Sequence, residues 1–283
     1  MLRIAVQKSG RLKDDSIALF KECGIDFEIG PTALKTQAYN FPVELLFLRD
    51  DDIPTSVESG VASAGIVGEN VLEEKGSKVD KLIGLGFGKC RLSLAVPKGV
   101  VINGLSDLQG QRVATSYPNI LLRYVQSKKI QISIQELSGS VEIAPSIGLA
   151  DAICDLVSSG STLASNGLRE LEVVMQSQAV LIGSKALTDE ERKILQKLIF
   201  RIEAVRKAKH TKYLLLNAPN SALEQIKAIS PGLKSPTIIP LQNEGWSSVH
   251  TVIQEDDFWE VIDKLKALGA EGILVVPIEK MIK

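Results

Sequence analysis

Along most of this chain, short β-branched and leucine-rich runs alternate with amphipathic stretches, and no other feature restricts its fold as strongly. Residues 2–6 are followed by 13–23, Val43–Leu48 by 53–59, and 64–67 by 70–75. In each pair the first run suits a pleated, buried strand and the second places its apolar side chains on one helical face. The rhythm continues through 93–96, then Arg112–Thr115 with 119–128, then 132–137, and Ala152–Val157 with 162–168. It predicts an α/β fold on largely parallel sheets, because each helix returns the chain to the starting edge of the next strand. Residues 173–182 read as one long crossover strand. Asp189–Lys209 reads as a helix, with Thr188 as its N-cap and Glu191 at the capping-box spacing.

Beyond that helix the order of elements changes. Residues 213–216, 221–229, 237–241, 247–253, 257–268 and 273–276 read as β-α-β-β-α-β, the ferredoxin-like order of a small independent module. Pro219, Pro231, Gly232 and Pro236 punctuate it. Neither a solenoid-period repeat nor a low-complexity tract interrupts the chain.

With 283 residues, of which 45% are hydrophobic and 24% charged, the chain can bury one large core or two to three smaller ones. Thirty-three basic residues against thirty-four acidic ones give a net charge of −1. No bulk positive field exists to hold a nucleic-acid backbone, so anion binding has to come from local clusters. No apolar run approaches the ~20 residues that cross a bilayer, and residues 1–6 form too short a run for a signal-peptide core before Gln7 and Lys8 break it. A cytoplasmic location and no membrane partner are expected. Cys23, Cys90 and Cys154 form no CxxC pair and are odd in number, as reduced and mostly buried thiols would be. His210 and His250 are the only histidines, so neither a zinc finger nor a HExxH site can be assembled. Asp, Glu and substrate phosphates remain as metal ligands, and these suit magnesium.

Residues 148–163 carry the most chemistry. An apolar strand reaches Asp155, Leu156 and Val157, then passes through Ser158, Ser159, Gly160, Ser161 and Thr162 into a helix start. Such a loop presents successive backbone N–H groups and hydroxyls to a phosphate, and Gly160 lets the backbone come close. Asp155 is placed to accept hydrogen bonds from sugar hydroxyls or to approach a metal. The same residues also fit an ordinary strand-to-helix turn in which Ser159 or Ser161 is only an N-cap. Lys8, Gly10 and Arg11 follow the first strand, where the carboxyl ends of a parallel sheet open onto a crevice. They suit a polyphosphate, or a solvated surface loop. Arg49, with its planar fork of donors, follows the strand ending at Leu48, and Asp50, Asp51 and Asp52 lead on into a helix whose first turn accepts Pro54. Those acids suit helix-dipole caps. Glu69 lies in a third strand-end loop, and loops of this kind after successive strands suggest one shared cleft. Residues 84–88 lack the G-x-G-x-x-G spacing and run into another strand, so they read as a bend between two lobes.

Residues 7–12, 48–54, 68–74 and above all 148–168, ending Thr162-Leu163-Ala164-Ser165-Asn166-Gly167-Leu168, resemble the ATP phosphoribosyltransferases, the first enzymes of histidine biosynthesis. The likeness covers nearly the whole chain, and the tail from 236 to 282 looks like the extra regulatory domain of the family's long form. The resemblance implies a two-lobed catalytic part like type-II periplasmic binding proteins plus a C-terminal ferredoxin-like regulatory domain. Lobe I would comprise residues 1–92 and 173–210, lobe II residues 93–172, and the regulatory domain residues 211–283. It further implies ATP and phosphoribosyl pyrophosphate as substrates, N1-phosphoribosyl-ATP and pyrophosphate as products, Mg²⁺, and histidine and AMP as inhibitors of a homo-oligomer, dimer or hexamer. By the same likeness Asp155–Thr162 would hold the ribose and 5′-phosphate. Lys8, Gly10, Arg11, Arg49 and Glu69 would line the nucleotide and pyrophosphate side, and Asn217, Ser235 and Thr237 would bind the effector. Asn217 departs from the acidic residue of some relatives, which implies a weaker grip on an amino group.

Displacement at a ribosyl anomeric carbon asks a site chiefly to position the reactants and neutralise the leaving pyrophosphate. Adenine N1 already carries a lone pair, and no histidine precedes His210 to serve as a base. Two other readings remain open from the residues: a solute sensor without chemistry on a two-lobed scaffold, and a C-terminal module that only dimerises.

Overall fold

The computed structural model describes residues 1–282 and contains three sheets. The first has the order β2-β3-β1-β4-β11-β5, from β1 (Leu2–Gln7), β2 (Lys35–Gln37), β3 (Val43–Leu48), β4 (Ala64–Gly68), β5 (Asp80–Gly84) and β11 (Ala179–Gly183). The second has the order β10-β6-β9-β7-β8, from β6 (Cys90–Pro97), β7 (Arg112–Thr115), β8 (Ser133–Glu136), β9 (Ala152–Val157) and β10 (Leu168–Ser177).

These two sheets repeat one plan. In the first, β1 lies between β3 and β4, all parallel, and β11 runs antiparallel between β4 and β5. In the second, β7 lies between β8 and β9, all parallel, and β6 runs antiparallel between β9 and β10. Each sheet takes its antiparallel strand from the chain that has just left the other sheet: β6 follows β5, and β11 follows β10. This exchange produces the two-lobed, type-II periplasmic-binding-protein-like architecture. The chain crosses at residues 85–89 and again at Gln178, so sheet membership adds 90–92 and 173–177 to the second lobe. The run 173–182, expected as one strand, is the end of β10 and the start of β11, divided by Gln178 between two sheets. The helix expected over 162–168 stops at Ser165, and Leu168 opens β10.

Helices cover the sheets with the residues their periodicity predicts. α1 (Arg11–Glu22) buries Ser16, Leu19 and Phe20. α2 (Ile53–Glu58) buries Ile53 and Val57 against Ala5, Val67 and Val180, and α3 (Glu69–Lys75) adds Val71 and Leu72 to the same core. On the second lobe, α4 (Pro118–Ser127) buries Ile120, Leu121 and Val125 against Leu92, Leu94 and Val113. α5 (Ser161–Ser165) packs Leu163 with Ile153 and Val157 on the other face. α6 (Asp189–Lys209) begins with the expected capping box. The Glu191 N–H donates to Thr188 Oγ1 at 3.3 Å, and the Thr188 N–H donates to Glu191 Oε2 at 3.0 Å. Acids fill its first turn and Arg206, Lys207 and Lys209 its last, complementing the helix dipole.

The chain divides into two compact units, Met1–Gln196 and Lys197–Lys283, with the division inside α6. The second unit is built on β12 (Thr211–Pro219), α7 (Leu223–Ile229), β13 (Thr237–Pro240), β14 (Trp246–Gln254), α8 (Phe258–Ala267) and β15 (Glu271–Pro277). Its sheet order β13-β14-β12-β15 is antiparallel throughout, which is the ferredoxin-like arrangement. Leu214, Leu216 and Val249 on one face of that sheet pack with Ile226 of α7 and Leu265 of α8.

Candidate active site

In each lobe the carboxyl ends of the parallel strands open toward the other lobe, at the crevice where α/β sheets bind ligands. A cleft of about 550 Å³ lies there. Lobe I contributes Arg11 from the start of α1, Asp50 from the end of β3 and Asn70 from α3; lobe II contributes Tyr117 from the start of α4, and Leu156 and Ser158 from the end of β9. A second hollow of about 480 Å³ shares Lys89, Cys90 and Ser158 with the first and adds Glu69 and Arg91. The polar residues singled out in both lobes therefore converge through Arg11, Glu69 and Ser158.

The hydroxyl-rich loop is exposed and held from beneath. Arg91 donates to Glu170 through Nε and Nη2, both at 2.6 Å, and through Nη1 to the Ser158 carbonyl at 3.1 Å. Ser93 Oγ also donates to Glu170, at 2.8 Å. The guanidinium holds the Glu170 carboxyl below the usual range, and that carboxylate raises Arg91 in turn. In the loop itself the Ser159 and Ser161 hydroxyls lie 3.0 Å apart. Gly160 adopts φ 83°, and a Cβ built there would meet nothing nearer than Val157 Cγ1 at 3.9 Å. The space above the loop is open, as close approach of a ligand to the backbone requires. α5 has only five residues, too short for an appreciable dipole. The loop thus offers backbone N–H groups and hydroxyls rather than the field of a long helix.

Asp155 is half-buried beside this loop. Burial pushes its carboxyl pKa up, partly offset by the Leu156 N–H that donates to Oδ1 at 2.8 Å. Such a carboxylate gains from further donors, for which ribose hydroxyls are well suited. Tyr117 is also half-buried; burial raises its pKa, and its hydroxyl accepts from Asn70 Nδ2 at 3.1 Å.

On lobe I, Gly10 caps α1 at φ 86°, and the Lys8 N–H donates to the Leu48 carbonyl at 2.8 Å, tying the end of β1 to the end of β3. Lys8, Arg11 and Arg49 are exposed, and among the described residues none of them enters an ion pair. Arg11 lines the cleft; Lys8, Gly10 and Arg49 stand on the loops beside it without lining it. Glu69 is paired with Lys81, and Asp51 with Lys75 at 3.3 Å. Residues 159–162 likewise adjoin the cleft rather than line it.

A family model described as ATP phosphoribosyltransferase matches residues 49–204, and one described as the HisG C-terminal domain matches 208–280. An ATP phosphoribosyltransferase of Cytophaga hutchinsonii is 59% identical over 283 residues, covering 100% of this chain and 99% of that protein. One from Phocaeicola vulgatus is 57% identical over 282 residues, covering 100% of both. The chain belongs to the ATP phosphoribosyltransferase family. It is a pentosyltransferase of the first step of histidine biosynthesis, in the long form that carries a C-terminal domain. A chain of the ATP phosphoribosyl transferase (HisG:HisZ) complex from Thermotoga maritima superposes with TM-score 0.61 at 31% identity, covering 72% of this chain and 99% of that one. Tv2483, solved with bound L-arginine, superposes with TM-score 0.53 at 13% identity over 74% of this chain and 86% of its own, and shares the fold alone.

In the family's C-terminal domain, strand register locates the expected effector residues. Asn217 on β12 faces Ser248 on β14, and Thr237 on β13 faces His250 on β14. Directly paired residues share a sheet face, as do residues two apart, so Asn217, Ser248, His250 and Thr237 lie on one side. His250 is held by the Tyr213 hydroxyl at 2.7 Å. Ser235 precedes β13 and lies outside the sheet. No periodicity singled out Ser248, His250 or Tyr213; only the register brings them beside Asn217 and Thr237.

Proposed function

We propose that the inter-lobe cleft joins ATP to phosphoribosyl pyrophosphate. The bond from adenine N1 to ribose C1′ forms as the bond from C1′ to the pyrophosphate oxygen breaks. The convergence of the exposed, unpaired Arg11 of lobe I with Ser158 of the hydroxyl-rich loop of lobe II carries this reading. Backbone N–H groups and hydroxyls of residues 158–162 hold the 5′-phosphate, and Asp155 accepts from the ribose hydroxyls. Lys8, Arg11 and Arg49 neutralise the negative charge that grows on pyrophosphate as it leaves, while Glu69 borders the same side. N1 attacks with its own lone pair, so the residues orient and exclude water rather than remove a proton.

Among the described residues, no group of three or more His, Cys, Asp or Glu is placed to hold a metal. Asp50, which lines the cleft, and Glu69 in the adjoining hollow are hard oxygen donors, either of which would hold Mg²⁺ together with substrate phosphates and water. When bound, the ion supplies further neutralisation of the leaving group.

Mixing the chain with ATP, phosphoribosyl pyrophosphate and Mg²⁺ should release pyrophosphate and form a product absorbing to the red of ATP, with neither signal when one substrate is omitted. Failure of the folded chain to do so would remove the assignment and leave a solute-binding role. Histidine and AMP are proposed as inhibitors, histidine acting through the face bearing Asn217 and Thr237, with Ser235 beside it, in a cytoplasmic homo-oligomer. Among the described residues no helix is long and apolar enough to cross a membrane. Histidine should inhibit the full chain and not one ending near residue 211; equal inhibition of both would move the effector site into the lobes.

A further inference from the structure

α4 begins without a cap of its own. Tyr117, its N-cap residue, makes no side-chain capping bond, and Pro118 at the first position has no N–H. The first two free donors of the helix are therefore the N–H groups of Asn119 and Ile120. Both donate to Glu74 of α3, in the other lobe, to Oε1 and Oε2 respectively, each at 2.9 Å. The return contacts run the opposite way: Asn119 Nδ2 donates to the Glu74 carbonyl at 3.2 Å, and Arg123 Nη2 to the Glu73 carbonyl at 2.8 Å. The negative end of one helix thus meets the positive end of the next, each supplying the groups the other leaves unpaired.

One turn before Glu74 on the same helix, Asn70 donates to the hydroxyl of Tyr117, which immediately precedes α4 and lines the cleft. α3 therefore fixes both the first turn of α4 and the residue leading into it. A carboxylate needed only to stabilise α4 could have stood at position 117. Its origin 45 residues away, in the opposite lobe, makes the capping of α4 depend on the angle between the lobes.

We propose that Glu74 is a positioning residue for phosphoribosyl transfer: its clasp on α4 sets the lobe angle at which the 158–162 loop faces Arg11, and with it the approach of N1 to C1′. The proposal rests on the reaction assigned above. The loop that holds the ribose and 5′-phosphate lies wholly in lobe II, and the lobe I cations act on charge that grows only as pyrophosphate leaves, so loss of the clasp separates binding from turnover.

In the full chain, Glu74→Ala should raise hydrogen exchange at the Asn119 and Ile120 amides and lower kcat about tenfold, a fraction of the ~100-fold that a 1 Å misplacement of reactants can cost. The affinity for phosphoribosyl pyrophosphate without ATP should stay within twofold by calorimetry. Glu74→Gln keeps one acceptor oxygen and should restore part of kcat. Exchange raised with kcat unchanged would overturn the proposal, as would unchanged exchange, or a fall in phosphoribosyl pyrophosphate affinity parallel to kcat, which would mark a purely structural role in lobe II. An inactive wild-type chain would overturn the reaction and the proposal with it, whereas an active wild type with an unaffected Glu74→Ala variant overturns only the proposal.

Discussion

β9 carries an aspartate near each end, and the two are in opposite electrostatic states. Asp151, just before the strand, accepts from the Arg112 N–H at 2.9 Å, from Nε at 3.1 Å and from Nη2 at 2.8 Å. Those bonds hold its carboxyl below the usual range. Asp155, two residues before the strand's exit, accepts from the adjacent Leu156 N–H, and burial holds it above that range. The amino end of the strand saturates its charge from within the protein. The carboxyl end leaves a carboxylate and the loop that follows it short of partners, a state a ligand can relieve and a folding chain gains nothing from.

The sharpest way to break this contrast is at the carboxyl end. Gly160→Val places a β-branched side chain at a positive φ and in the open space above the loop. The value of kcat/KM for phosphoribosyl pyrophosphate should fall about 100-fold or more, since both the loop backbone and its access to phosphate are disturbed. The fold should survive with Tm lowered by several degrees, because a β-branched residue held at this positive φ costs about 1–3 kcal/mol. An unchanged affinity by calorimetry would show that the loop is only a turn.

Asp155→Asn should weaken phosphoribosyl pyrophosphate about tenfold through lost hydrogen bonds to a charged acceptor, yet stabilise the free protein. The folded-state pKa is raised, so ionised Asp155 costs stability at neutral pH, and that cost disappears as pH falls toward the ordinary carboxylate range near ~4. The variant should therefore unfold at a higher temperature than wild type at pH 7, with the difference closing in acid. A lower Tm at pH 7 would show that Asp155 is a structural acid like its counterpart.

Much of this contrast was legible in the sequence, because it rests on local order. The strands Arg112–Thr115 and Ala152–Val157 and the helix Asp189–Lys209 fall where the apolar periodicity ends, and Thr188 with Glu191 forms the capping box its spacing announces. What stayed hidden depends on partners far along the chain. Only the polar Gln176, Ser177 and Gln178 mark the point where the run 173–182 changes sheets, and neither Gly nor Pro stands there to announce a break. β2 and β5 pass unnoticed because three exposed or half-exposed residues, Lys35–Gln37, and the weakly buried Asp80–Gly84 lack the alternation of a half-buried strand. Arg91 with Glu170, Asn70 with Tyr117 and Glu74 with Asn119 join positions 45 to 79 residues apart. No local pattern reports such pairs: Arg91 meets Glu170 where β6 pairs with β10 inside the second lobe, and the other two pairs form where the lobes come face to face.

The smallest effect, and the one that tests the amino end of β9, concerns Asp151. Its depressed pKa contributes stability that is fully present above the ordinary carboxylate value of ~3.9 and is lost as pH falls through the lower folded-state value. Asp151→Asn should therefore unfold below wild type at pH 7, and the gap should begin to close near pH ~4 and vanish in stronger acid, the reverse of the Asp155→Asn profile. The pair is largely open to solvent, so the drop in Tm should not exceed about 2 °C and should shrink in high salt. Because Asp151 lies at the strand end away from the cleft, kcat and phosphoribosyl pyrophosphate affinity should remain within twofold of wild type. If Asp151→Asn instead lowered that affinity as far as Asp155→Asn, the charge at the amino end would be working through the strand on the site, and the division of roles between the two ends of β9 would fail.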